Sequence, residues 1–193
     1  MKLEIVSFVV CLLFGFGFCS HQTCPMRSII GCDKGFTYFQ RNPTEKNNFT
    51  SEWCLGVFPQ KHVTECEGRE ICQNLGATIS MFENEEEFKE IDVNKYIYVF
   101  IDGYRMQRCH DRSSYREWKC QPLRSFQFRS SATDPTFTLS NWRADDPNYF
   151  EGKPEDEQHC ISFSADGTID VGCKGHEQIN HVLCGKPPSH QYY

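Results

Sequence analysis

Twelve cysteines in 193 residues constrain this chain more tightly than any other feature. Two of them, Cys11 and Cys19, lie in an N-terminal segment unlike the rest. Met1-Lys2-Leu3-Glu4 is a short polar start, and Ile5 to Phe18 is continuously apolar apart from Ser7, two glycines and Cys11. A bilayer-spanning helix needs about 20 apolar residues, so this run is too short to be one. Gly17 and Cys19 are the small residues of a signal-peptidase site before Ser20, and residues 1–19 read as a secretory signal peptide. Ten cysteines remain after it: Cys24, Cys32, Cys54, Cys66, Cys72, Cys109, Cys120, Cys160, Cys173 and Cys184. An even number in a secreted chain reads as a disulfide framework. Its connectivity stays open at this point, because ten cysteines allow about 945 pairings.

The formal net charge is −6, and no basic stripe is present. Nucleic acid and anionic membrane surfaces are therefore not expected as partners. No later stretch suits membrane insertion, and the C-terminal tail, residues 187–193, is too polar for a lipid-anchor signal. No Gly/Ser-rich linker divides the mature chain, which fits one domain. Asn48-Phe49-Thr50 is the sole N-glycosylation sequon, in a polar loop from Arg41 to Ser51, since Asn42-Pro43-Thr44 fails through its proline.

Local patterns set the order of elements. Residues 35–39 and 52–58 are rich in aromatic and β-branched side chains and predict strands. Thr64-Glu65-Cys66-Glu67 is a capping box that opens a helix running to Leu75, where Gly76 stops it. Asn84 caps a second helix whose first turn is acidic, Glu85-Glu86-Glu87, with Phe88 and Ile91 on an apolar side. Short strands are predicted at 96–101, 125–129, 136–139, 160–163, 168–171 and 181–184. Ala165-Asp166-Gly167 predicts a hairpin turn between two of them. Strands, then two helices, then many short strands with long loops make an α+β pattern.

These residues resemble the C-type lectin-like domain, in the secreted, cysteine-rich long form seen in nematodes. The resemblance covers Cys32 to Lys186, so residues 32–186 are expected to be the domain and residues 20–31 an N-terminal extension. It implies two helices, short antiparallel strands and a long disulfide-stapled loop region. It pairs Cys32 with Cys54, Cys72 with Cys184 and Cys160 with Cys173. It also allows Cys109 with Cys120, and leaves Cys24 for Cys66. On a 3.6-residue helix Cys66 and Cys72 point roughly 120° apart, so they should seek different partners. Phe100-Ile101-Asp102-Gly103 resembles the family's Trp-Ile-Gly core strand with Asp102 inserted. Thr168 stands where a tryptophan is usual.

Sugar binding in this family, where it occurs, uses a calcium ion held by side-chain oxygens, and calcium takes six to eight of them. The resemblance places Asp146-Pro147-Asn148 at the Glu-Pro-Asn triplet, with Pro147 in the cis form. It places Gln158 at a position usually Glu, and Ile169-Asp170 at an Asn-Asp pair. The implied ligands are Asp146, Asn148, Gln158 and Asp170. The set is incomplete, because Gln158 is neutral and Ile169 has no side-chain oxygen. Glu151, Glu155, Asp156, Glu157 and Asp145 are nearby acids. Asp146, Asn148, Tyr149 and Phe150 are the expected ligand contacts, the last two as exposed aromatics. Trp53 and Trp142 are expected in the core, while Trp118 is a possible sugar platform.

Catalytic signals are absent. His176 and His181 nearly spell a zinc-protease helix, but at i+5 they diverge by roughly 140°. Neither a Gly-x-Ser-x-Gly elbow nor a phosphate-binding glycine loop occurs. The expected function is non-catalytic, extracellular binding of glycans through the Trp142–Cys173 loop region. The alternative is calcium-independent protein–protein recognition on the same fold.

Overall fold

The aromatic and β-branched runs become strands of one main sheet, with the capped segments as helices beside it. The computed structural model describes residues 28–92, 98–115, 117–148, 157–175 and 178–192. In chain order the elements are β1 (Ser28–Gly31), β2 (Thr37–Gln40), β3 (Glu52–Pro59), α1 (Glu65–Asn74), β4 (Thr78–Ile79), α2 (Glu85–Glu90) and β5 (Tyr98–Arg105). There follow α3 (Arg112–Tyr115), α4 (Pro122–Ser125), β6 (Phe126–Gln127), α5 (Thr136–Ser140), β7 (Cys160–Ser164), β8 (Gly167–Val171), β9 (Ile179–Lys186) and β10 (Ser189–Tyr192). Strands β1 and β10 pair as a separate two-stranded sheet. The main sheet runs β2-β3-β9-β5-β7-β8, with β4 also on β9 and β6 on β5. The β5–β9 pairing is parallel, and the other pairings in this sheet are antiparallel.

Alternation along β5 divides the core. Val99 and Ile101 join Trp53, Leu55, Phe82 and Phe163 in one cluster. Phe100, between them in sequence, joins Cys72, Cys160, Val182 and Cys184 in the other. Successive strand side chains point to opposite faces, so the sheet carries apolar packing on both sides. Trp53 is buried, as its sequence context suggested.

The helix caps form as predicted. The Glu67 backbone N–H donates to Thr64 Oγ1 at 3.2 Å, and the Thr64 N–H donates to the Glu67 carboxylate at 3.0 Å. Gly76 follows α1 with φ +64°, a left-handed conformation that favours glycine. Asn84 Oδ1 accepts the Glu87 N–H at 2.9 Å and opens α2.

Two predicted strands are corrected. Thr136–Leu139 was expected as a strand and is helical, within α5. Pro135 begins the turn, its carbonyl accepts the Leu139 N–H at 2.9 Å, and Asp134 Oδ1 accepts the Thr136 N–H at 2.9 Å. These local bonds and the burial of Thr138 and Leu139 outweigh the β propensity of Thr-Phe-Thr-Leu. Only Phe126–Gln127 of the segment 125–129 is strand. Ser125 closes the turn of α4, and the backbone N–H groups of Arg129 and Ser130 turn away to donate to Asp102 Oδ2, each at 2.9 Å.

Asp102, the extra residue of the core strand, sits in a bulge. The β5–β7 register shifts between Ile101 and Tyr104, and Gly103 takes φ +150°. A Cβ at Gly103 would lie 2.3 Å from Ile161, so the bulge requires glycine. Burial pushes the Asp102 carboxyl up to about 6, against the opposing effect of its N–H donors.

Among the described residues four disulfides are formed: Cys32–Cys54, Cys72–Cys184, Cys109–Cys120 and Cys160–Cys173. They are the pairs that the resemblance implies. For the fifth, Cys66 stands on α1 as a free, exposed thiol, and Cys24 lies outside the described residues. No helix of the described residues is long and apolar enough to cross a membrane. Residues 1–19, part of the strand predicted at 96–101, and the His176–Glu177 pair also lie partly or wholly outside them.

Candidate functional site: the Asp146–Asp170 cleft

The cleft lies within Ile30–His190, one compact unit of the chain. The Asp146–Pro147 peptide bond is cis. Asp146 uses both carboxylate oxygens: Oδ2 accepts from Arg143 Nε at 2.7 Å and Oδ1 accepts from the Asn148 side-chain amide at 2.8 Å. Arg143 also donates to the Tyr98 hydroxyl at 3.2 Å, which ties the triplet to the start of β5.

Asp170 comes from β8 and is fully enclosed by the sheet. Its Oδ2 accepts from Arg105 Nη2 at 2.8 Å, with both side chains 0% exposed. Its Oδ1 accepts the Asn148 backbone N–H at 3.1 Å. Arg105, the last residue of β5, lies over the Phe126 ring at 4.8 Å and donates from Nε to the Gln158 carbonyl at 3.1 Å. A cavity of about 140 Å³ opens beside these groups, lined among others by Tyr98, Arg143, Asp146, Asn148, Gln158 and Gln178. Next to it, the His159 ring stacks on His110 at 3.8 Å, and burial pushes the His159 imidazole below its usual value.

The structure thus brings together the residues expected from the sequence, Asp146, Asn148, Gln158 and Asp170. Tyr149, Phe150, Glu151, Glu155 and Asp156 lie outside the described residues. Among the described residues the donor set does not fit calcium. Each expected carboxylate is bound to a guanidinium, and a divalent ion beside Asp170 would face the buried charge of Arg105. Ile169 turns into the core at 6% exposure and offers no oxygen. Among the described residues, no three His, Cys, Asp or Glu side chains are placed to hold a metal.

Sequence reading missed Arg105, Arg143 and Tyr98. Arg143 had a visible signal, three residues before Asp146. Arg105 had a weaker one: an arginine ending a β-prone run, whose facing is set by the bulge at Asp102–Gly103.

The sheet order, the two flanking helices and the bridges define a C-type lectin fold. The carbohydrate-recognition domain of cow CD23, solved in the presence of a GlcNAc2Man3 oligosaccharide, superposes with a TM-score of 0.54 at 14% identity, over 83% of this chain and 99% of that one. A calcium-independent type II antifreeze protein gives 0.54 at 14% identity, over 83% and 98%. At the level of sequence, residues 38–192 match the model of C-type lectin domain-containing protein 141/158, and the chain belongs to that family. C-type lectin domain-containing protein 141 of Caenorhabditis elegans is 30% identical over 150 residues, 69% of this chain. The chain spans about half, 49%, of that relative's length. The family and fold are generally non-catalytic binding modules.

Proposed function

We propose that this chain is a secreted, non-catalytic recognition protein that binds glycans through residues 142–173 without calcium. Residues 1–19 are its signal peptide, 20–31 an extension, 32–186 the binding domain and 187–193 a tail. One observation carries the calcium-independent reading: the two carboxylates that would hold the ion are each occupied by an arginine. The guanidinium groups do what a cation would do, holding the cis triplet against β8 through Asp170 and the Asn148 backbone. The cleft then presents Arg143, the exposed Asn148 side chain and the Tyr98 hydroxyl, groups that can exchange hydrogen bonds with sugar hydroxyls. The oligosaccharide in the cow CD23 study and the calcium-independent antifreeze protein support both halves of the reading on this fold.

A glycan array probed with calcium and again with chelator tests it. Equal retention and an unchanged melting temperature are expected. Binding lost in chelator, or a melting temperature raised by calcium, would overturn it. Asn48 is exposed beside a turn at Glu45–Asn47, which suits a glycan acceptor. Glycosidase treatment of secreted material is expected to shift its mass, and Asn48→Gln to abolish the shift. One observation favours protein recognition as a second reading. Trp118, on the loop stapled by Cys109–Cys120, and Leu123, in α4 just after it, are 67% and 58% exposed.

A further inference from the structure

A second, larger cavity opens away from the Asp146–Asp170 pair. Its volume is about 360 Å³, within the range of small-molecule sites. Four aromatic rings line it: Phe88 from α2, Phe137 from α5, Trp142, and Phe163 from β7. Phe163 is buried, and the other three are half-buried, so part of each is left for a ligand. Two carboxylates, Glu85 and Asp166, also line it, beside Asn141, Ala165 and Gly167, and both acidic residues are exposed.

The walls are fixed by the backbone. The tip of the β7–β8 hairpin is bonded to the segment carrying Trp142 at two points. The Thr168 N–H donates to the Asn141 carbonyl at 2.7 Å, and the Arg143 N–H donates to the Thr168 carbonyl at 2.9 Å. Gly167, at φ +121°, makes this approach possible, since a Cβ there would lie 2.4 Å from the Asn141 carbonyl oxygen. Asp166 is thereby held on the same opening as the aromatic rings. Phe88 and Phe137 are held in turn by Phe163, at ring distances of 5.0 Å and 6.4 Å. Glu85 pairs with Lys89 at 2.7 Å, but both side chains are 69% exposed, and such a surface pair competes weakly with a ligand.

Aromatic faces carry negative charge density and attract cations. Carboxylates at the rim add charge of the same sign. An uncharged sugar would satisfy the carboxylates only through hydroxyls and would leave this field unused. We propose that the cavity binds a compact organic cation, an alkylated ammonium group, against its aromatic walls with Asp166 and Glu85 at the rim. This site does not rest on glycan binding in the other cleft, and either can fail without the other.

The probe is choline, compared by calorimetry with its uncharged isostere, in which a tert-butyl group replaces trimethylammonium. The full disulfide-bonded chain is used. Choline is expected to bind and the isostere not to. The double variant Glu85→Gln/Asp166→Asn alters only exposed side chains and should keep the native circular dichroism. It is expected to weaken choline about tenfold, the scale of two partly screened attractions. Phe137→Leu is expected to weaken choline without restoring affinity for the isostere. No choline binding, equal binding of the isostere, or unchanged affinity in the double variant would overturn the proposal.

Discussion

Replacing Asp170 by Asn tests the central claim about the cleft, that a buried ion pair organises it. The substitution keeps the shape of the side chain and an oxygen to accept the Asn148 N–H. It removes the Asp170 charge from beside Arg105, whose side chain is 0% exposed. Breaking one partner of a buried pair costs about 3–5 kcal/mol, because the other charge stays desolvated and loses a close counter-charge. For a domain of this size each kcal/mol is worth about 2–4 °C, so the melting temperature should fall by roughly 10 °C. Urea unfolding under non-reducing conditions measures the free energy, with calorimetry as the second probe. The double variant Arg105→Met/Asp170→Asn removes both charges. Its cost is expected to be clearly less than the sum of the two single costs, since neither charge is then stranded. An Asp170→Asn cost under about 1 kcal/mol, or simple additivity in the double variant, would refute the reasoning.

Asp102 offers a test of opposite sign. Its folded-state value of about 6 lies above the ordinary 3.8 because of burial, so the folded chain holds this proton more tightly than the unfolded one. Its contribution to stability is fully present below about pH 4 and is lost as pH rises through about 6. Asp102→Asn, which keeps an acceptor for the Arg129 and Ser130 N–H groups, is expected to stabilise the protein at pH 7 by about 1–3 kcal/mol and to flatten that pH dependence in urea titrations. Thr64→Ala removes the cap of α1 and should cost about 1 kcal/mol in the same assay, at any pH between 6 and 8.

What the sequence made legible was the local and the covalent. The capping residues Thr64 and Asn84 carry their own signals, and both helices start where those signals stand. The four observed bridges follow the family resemblance, which the residues alone could not supply. The failures share one cause. Thr136–Leu139 has strand-like residues, but its conformation is decided by Pro135, Asp134 and the surface it packs on. In the cleft, the candidate oxygens were identifiable by position, whereas the groups that occupy them were not. Arg105 is 65 residues from Asp170 in sequence, and the bulge at Asp102–Gly103 determines which face of the strand it occupies. Pairing over such distances is a property of the folded sheet and leaves no local pattern.

The place of β9 has a consequence for how the chain is made. This strand follows every other strand of the main sheet in chain order, yet it lies between β3 and β5 and also pairs with β4. Its partners on β3 lie more than 120 residues earlier, Cys54 opposite Lys186 for example. Until residues 179–186 emerge, β3 and β5 each present an unpaired backbone edge, and Cys72 lacks Cys184. Edges of that kind recruit other chains. The main sheet is therefore completed only when this closing strand is inserted between its two neighbours. A stop codon before residue 179 removes the strand that joins the two halves of the sheet, and the product should aggregate instead of accumulating as a shorter folded form.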